Sequence, residues 1–555
     1  MSSSYDSLVS KLVSTYDGVN TRLAKLDPIV LLVFSIGGTM VVVKARRLLR
    51  KSDRPVHKRL FGYVFSFVSQ LPWVRRKIDK ELSQTKASIE HSIHSCDEQL
   101  VFIKKLSVAP ISMQDIVSKA EEYQAMNKHF DYLGGRVSGA VYTNMAPDHL
   151  EVLSEVFKRY AFSNPLHPDV FPGCRKMEAE IIRMVANLFH GSEESCGSMT
   201  TGGTESIILA CLSSRNRALA NGIADPMLVV PVTAHAAFDK AASLLGIRIR
   251  HVPVDKVTSE VDIAALKSAI TKDTCLLVGS APNFPFGTVD NIPAIAELGQ
   301  HYDIPVHVDC CLGGFLIAFA NEVGGMNLPV FDFRLPGVTS ISCDTHKYGY
   351  APKGTSTVLY RSPEYLHHQY FSVPEWPGGI YATPTLSGSR AGLNIALTWA
   401  TMLHFGHAEY ASRAKKIIEA TRLLAAEVQK IEGMELVGRP DVSVVAFRSS
   451  TFNIYAVADR LNKLGWNLNS LQMPDSIHFC LTYNQASAEV VQAFVQDLRA
   501  VAHEVASLEN KGGDSATASI YGMAAQIPDK SLVDEVVYLY LDSCYAMPTK
   551  VQLIQ

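Results

Sequence analysis

From about residue 150 to 400, short apolar runs without polar alternation recur at 227–232 (MLVVPV), 274–280 (TCLLVGS), 305–311 (PVHVDCC), 338–343 (VTSISC) and 355–360 (TSTVLY). Runs of this length predict strands buried on both faces. Most are separated by stretches that predict helices, at 204–220, 236–245 and 292–301. Strands and helices in alternation imply the α/β class, with a mostly parallel sheet covered on both sides. After about residue 400 the pattern changes. A long helix over 408–431 precedes shorter strands at 442–447 and 477–482, with helices near 453–464 and 487–506. This predicts a smaller α+β domain. Residues 75–130 read as polar helices with apolar positions three and four apart, ending near the glycines at 134 and 135, and nothing in the pattern places the tail beyond 512.

One run departs from the soluble type. Residues 28–43 (PIVLLVFSIGGTMVVV) carry no charge and are bracketed by Lys25 and Asp27 on one side and Lys44, Arg46 and Arg47 on the other. The run is a little short of the ~20 residues of a comfortable span, and Leu26 with the stems of the flanking basic residues extends it. A secretory signal would lie nearer Met1 and end in a small-residue cleavage site. The expectation is a transmembrane helix over 26–43. Basic residues crowd its C-terminal flank, so the positive-inside rule makes 1–25 lumenal and everything from 44 onward cytosolic. A second apolar stretch, 61–74, reads equally as a piece lying on the membrane or as an ordinary packed helix. The expected organisation is then a cytosolic helical linker over 44–130, a large domain over 131–400, a small domain over 401–510 and a tail over 511–555. A net charge of −2 argues against nucleic acid as the main partner. Ten cysteines without framework spacing fit a reducing compartment, and no zinc-like ligand set appears, so no metal is expected.

Four local patterns carry chemistry. Residues 342–349 (SCDTHKYG) end a strand and offer His346 and Lys347 at its exit; a lysine partly desolvated beside other cations has its pKa pulled down toward the nucleophilic range. Residues 200–206 (TTGGTES) open a helix. There glycines let backbone amides approach an anion, Thr204 can cap, and the helix N-terminus favours a phosphate. Asp309 ends an apolar strand, a costly place for a carboxylate unless it is paired; a pyridinium nitrogen is such a partner. His235 follows another strand, where an imidazole can stack on a ring or simply cap a helix. Each has a bland reading. Phosphate loop, stacking His, Asp and Lys in that order, each beside a strand end, together point to pyridoxal 5′-phosphate held as a Schiff base on Lys347.

These residues are where the chain resembles the group II decarboxylase-like branch of fold-type I pyridoxal-phosphate enzymes and, within it, the sphingosine-1-phosphate lyase family. The resemblance covers most of the chain and rests on 135–142 (GRVSGAVY), 164–173 (NPLHPDVFPG), 279–288 (GSAPNFPFGT), the Asp309 strand, 345–354 (THKYGYAPKG) and 388–392 (GSRAG). It implies that Lys347, Asp309 and His235 are the catalytic set, with Gly203, Thr204 and His346 on the cofactor phosphate. It implies further that Lys353, Tyr142, Asn164 and His167 bind a substrate phosphate, several reaching in from a partner subunit of a homodimer, with Ser389 and Arg390 as additional contacts. One departure is Cys310, where the family usually has alanine; beside the ring-binding Asp, it puts cofactor affinity in question. The implied reaction is retro-aldol cleavage of the C2–C3 bond of a phosphorylated sphingoid base, by an enzyme anchored in the endoplasmic reticulum membrane. The base that takes the C3 hydroxyl proton is left open among Lys347, a tyrosine and the substrate phosphate. Two other readings compete: an amino-acid decarboxylase on the same scaffold, and a membrane-tethered scaffold without catalysis.

Overall fold

The computed structural model describes residues 68–97, 100–325, 327–508 and 530–547. The expected membrane helix at 26–43 and its flanks lie outside them; among the described residues no helix is long and apolar enough to cross a membrane.

The described residues fall into two units. The smaller pairs the helix Pro72–His94 with the helix Lys530–Tyr545. Pro72 opens the first of these, at a position where its missing N–H costs nothing. Arg75 grips Glu535 through two parallel bonds of 2.9 Å, and His94 Nε2 meets the Ser543 carbonyl at 3.1 Å. The tail that the sequence pattern left unplaced thus contributes a helix to this unit.

The larger unit is built on a seven-stranded sheet. Its strands are β1 (Cys196–Thr200), β2 (Met227–Pro231), β3 (Arg248–Val252), β4 (Thr274–Ser280), β5 (Val306–Asp309), β6 (Val338–Cys343) and β7 (Ser356–Tyr360), in the order β1-β7-β6-β5-β4-β2-β3. Only β7 is reversed, pairing antiparallel with β1 and β6. Alternation of side chains along each strand feeds two cores. Leu228, Val230, Leu276 and Val278 join one face with the helices Gly203–Ala220 and Ala237–Leu245. Val229, Leu277, Val306, Val308 and Ile341 join the opposite, larger core. Each such buried aliphatic side chain contributes about 1.5–3 kcal/mol.

A second sheet holds β10 (Met434–Val437), β11 (Val444–Ser449), β12 (Asn469–Leu471) and β13 (Ser476–Cys480), antiparallel in the order β10-β11-β13-β12. It is backed by Trp466, Phe479 and Phe494, with the last two ring centroids 4.7 Å apart. A short hairpin of β8 (Phe371–Val373) and β9 (Tyr381–Thr383) lies between the two sheets in sequence. The helix expected over 408–431 is the second half of Gly392–Val428, which breaks at Gly406 (φ 57°, ψ 176°). Residues 135–142 are tied to the small sheet: Val137 bridges Asn467, and the Gln485 amide donates to the carbonyls of Gly135 and Val137.

Candidate active site

Strands β1, β2, β5 and β6 all run the same way, so their carboxyl ends share one edge of the sheet. The four sequence patterns follow those ends, and this is why they meet. A chain of buried hydroxyls sets the first loop. Ser206 Oγ lies 2.7 Å from Thr200 Oγ1 and 2.9 Å from Ser356 Oγ, which donates to the Cys343 carbonyl. β1, β7 and the end of β6 are thereby tied to the start of the helix Gly203–Ala220. Gly202, not Thr204, is the cap of that helix. The Glu205 carboxylate instead takes the amide and hydroxyl of Thr201, both at 2.7 Å.

A cavity of about 330 Å³ opens at this edge, lined among others by Gly203, Thr204, His235, Cys311, His346 and Lys347. Gly203 is required by close approach: a Cβ there would stand 2.8 Å from both Asp344 Oδ1 and Cys311 Sγ. His235 Nδ1 accepts the amide of Ala237, the first residue of the next helix, at 3.0 Å, and the side chain lines the cavity. His346 Nδ1 accepts the Thr355 amide at 3.0 Å, which leaves the proton on Nε2, 3.6 Å from Asp344. Asp309 accepts the Cys311 amide at 3.0 Å.

The environment of Lys347 differs from the sequence expectation. Its amine lies 2.9 Å from the carboxylate of Asp344. Burial alone would lower its pKa, but that carboxylate outweighs burial and holds it well above the ordinary lysine value. Lys353, a neighbouring cation, is itself depressed, by burial and by Lys347. Asp344 was passed over in the sequence as part of a polar run; its spacing of three from the lysine was the available signal. Cys310 also differs. Its side chain is packed in the large core, whereas Cys311 lines the cavity.

The cavity fits pyridoxal phosphate on its own terms. Free amides at a helix N-terminus and the Nε2–H of His346 suit a phosphate, Lys347 suits an aldehyde, and Asp344 Oδ1 is buried without a hydrogen-bond partner. The remaining expected residues form two further groups. Lys353 Nζ sits 4.7 Å from the ring centre of Tyr142, and among the described residues no carboxylate pairs with it. Tyr142 packs edge-on against Tyr348 at 4.8 Å, and burial raises its pKa. Asn164 donates to Ser389 Oγ at 3.1 Å and accepts the Arg390 amide at 3.3 Å. The Arg390 guanidinium is engaged by both oxygens of Glu178. His167 is exposed and is not brought to the cavity that Lys347 lines.

The family described as the pyridoxal-dependent decarboxylase conserved domain matches residues 141–450. A sphingosine-1-phosphate lyase of Drosophila melanogaster is 46% identical over 488 residues, 88% of this chain and 89% of that protein. One of Saccharomyces cerevisiae is 41% identical, over 87% of this chain and 82% of that one. Among solved structures, a sphingosine-1-phosphate lyase of Burkholderia pseudomallei superposes with a TM-score of 0.71 at 36% identity, over 77% of this chain and 97% of that one. A glutamate decarboxylase of Lactobacillus brevis, 21% identical with a TM-score of 0.64 over 75% of this chain and 98% of that one, shares the fold.

Proposed function

This chain belongs to the sphingosine-1-phosphate lyase family, and from that premise we propose how its residues divide the work. The enzyme uses pyridoxal 5′-phosphate to cleave phosphorylated sphingoid bases such as sphingosine 1-phosphate at C2–C3, to a long-chain aldehyde and phosphoethanolamine, in sphingolipid degradation. The observation that carries the assignment of roles is the single cavity in which Lys347, His346, His235 and the Gly203 loop converge.

When bound there, the cofactor supplies an electron sink for the pair released as C2–C3 breaks. Lys347 provides the amine that holds it, and Asp344 keeps a proton at that amine until it is needed. The amides of Gly203 and Thr204 and the Nε2–H of His346 take the cofactor phosphate. His235 packs against the ring, and Asp309 holds the proton on the ring nitrogen. Lys353, paired with no carboxylate among the described residues and beside Tyr142, is suited to the substrate phosphate.

We further propose a homodimer in which Asn164 and His167 complete the partner's substrate site. The exposure of His167, away from the cavity, supports this. The apolar run at 28–43 and its basic C-terminal flank support a membrane anchor over 26–43, with the catalytic domain cytosolic; the family resemblance makes that membrane the endoplasmic reticulum.

The test is an absorbance spectrum of the purified protein with and without sphingosine 1-phosphate, followed by assay of both products. A cofactor band that changes with substrate, with products formed and both lost in Lys347→Ala, is the expected result. A normal band without cleavage would move the activity to an amino-acid decarboxylase, and no band would leave a scaffold.

A further inference from the structure

Four polar side chains form a ladder on one face of two central strands. The β5–β6 register sets His307 beside Ser340 and Asp309 beside Ser342. Residues two apart on a strand share a face, and the intervening Val306, Val308 and Ile341 belong to the large apolar core. All four polar residues are at most 7% exposed. Groups buried this deeply are costly unless each finds a partner.

Each does. His307 Nδ1 lies 2.9 Å from Ser340 Oγ and His307 Nε2 lies 3.0 Å from Ser342 Oγ, which donates to Asp309 Oδ1 at 3.4 Å. The directions follow from that last contact. The Ser342 hydroxyl has one proton and spends it on the carboxylate, so it must accept from His307 Nε2–H. A neutral imidazole then has only a lone pair at Nδ1, which accepts from Ser340. Burial enforces that neutral form, holding the pKa of His307 down to about 4. The Cys311 amide adds a second donor to Asp309, again on Oδ1, at 3.0 Å. Neither donor falls on Oδ2.

We propose that Ser340, His307 and Ser342 form a one-way hydrogen-bond chain that fixes the carboxylate of Asp309, with His307 as positioning residue, and reserves Oδ2 for the ring nitrogen of the cofactor. This rests on the pyridoxal-phosphate reading of the site. Donors to a carboxylate favour its charged form, and a charged, fixed partner keeps the ring nitrogen protonated. Without the chain, Asp309 keeps only the Cys311 amide. It then turns more freely, becomes more basic and competes for the proton that the ring needs. A purely structural role explains the ladder less well, because valine or leucine at 307 would suit the surrounding core at lower cost.

The experiment uses holoenzyme loaded with cofactor isotopically labelled at its ring nitrogen and read by NMR. In His307→Phe the ring-nitrogen resonance is expected to move toward that of unprotonated pyridine. Its kcat should fall about 10- to 100-fold with KM changed less than about 2-fold, the effect of one lost bond to a charged group. His307→Gln, whose amide can still donate to Ser342, should recover most of both. Ser342→Ala, a small change in volume, should reproduce the shift and decides the matter if His307→Phe does not fold. An unmoved resonance and unchanged kcat in folded Ser342→Ala would overturn the chain. If Asp309→Ala moves the resonance while Ser342→Ala does not, only the chain fails; if Asp309→Ala is silent as well, the assignment of Asp309 to the ring nitrogen fails with it.

Discussion

Lys347 and Asp344 carry opposite charges 2.9 Å apart at positions that are mostly buried, where such a pair is much stronger than in water. The carboxylate holds the amine protonated, so apoprotein should take up cofactor faster as pH rises. Asp344→Asn removes that hold and should move the pH profile of cofactor reloading to lower pH, measured by stopped-flow absorbance; an unmoved profile would deny Asp344 the role. Gly203→Ala places a methyl 2.8 Å from Asp344 Oδ1 and Cys311 Sγ. It should weaken cofactor retention about 10-fold or more while the far-ultraviolet circular dichroism stays native. Lys353→Gln should raise KM for the phosphorylated substrate by about 10- to 100-fold, as expected for one lost charge-assisted contact, with cofactor absorbance unchanged. At this scale the His-Lys pair and the glycine loop were legible in the sequence because each sits at a strand exit with unusual chemistry. Asp344 and Cys311 were not. Their roles depend on which way two side chains point after a turn, and no periodicity encodes that.

At the scale of elements, the uniformly apolar strands β2, β4, β5 and β6 could be read directly, since a strand buried on both faces has no reason to alternate. β1 (CGSMT) and β3 (RIRHV) were missed. β1 is small and polar because it packs closely on β7, where a Cβ at Gly197 would meet the Val358 carbonyl at 2.2 Å. β3 is an edge strand, half-buried, and its Arg248 reaches out to Asp225 and Asp273. That β7 runs against its neighbours was equally hidden, because strand direction is set by the connection and the pairing partner. The break in the helix Gly392–Val428 turns on Gly406, at φ 57°, a conformation that costs other residues of order 1–3 kcal/mol. Gly406→Ala should lower the unfolding free energy by about that amount in urea titrations. A neutral effect would mean that the helix can run straight through residue 406.

For the whole molecule, buried titratable groups set the response to pH. Burial holds His149, His307 and His478 at about 4, against 6.5 for a free histidine. Between those values the unfolded chain binds more protons, so the stability these residues contribute is full above about 6.5 and is lost as pH falls toward 4. Asp290, pushed up to about 7 by burial, acts in the opposite sense: its contribution is full below about 3.8 and is lost as pH rises through about 7. Three histidines against one aspartate leave a net loss on acidification. The urea midpoint should therefore fall between about pH 6.5 and 4.5, and His478→Gln should roughly halve that fall, since Asp290 then offsets one of the two remaining histidines. The proposed dimer makes a separate prediction. Mixed Lys347→Ala and His167→Ala subunits should regain up to about a quarter of the native activity, because half of the random pairs are hybrids with one intact site. No recovery after confirmed subunit exchange would place His167 outside the partner's site.

The sequence by itself determined the α/β class, the succession of strands and helices, and the order of the chemical residues along the chain, because periodicity and strand-end chemistry are local properties. It also carried the family, since long runs such as 345–354 leave little room for chance. What only the tertiary structure decided was every relation across space: that four strand ends share one edge, that the carboxylate of Asp344 and not a cation faces Lys347, that Arg390 is engaged by Glu178, and that a histidine two residues before Asp309 is joined to it through a serine of the next strand. Such relations depend on register, direction and rotamer, which arise only when distant segments pack together.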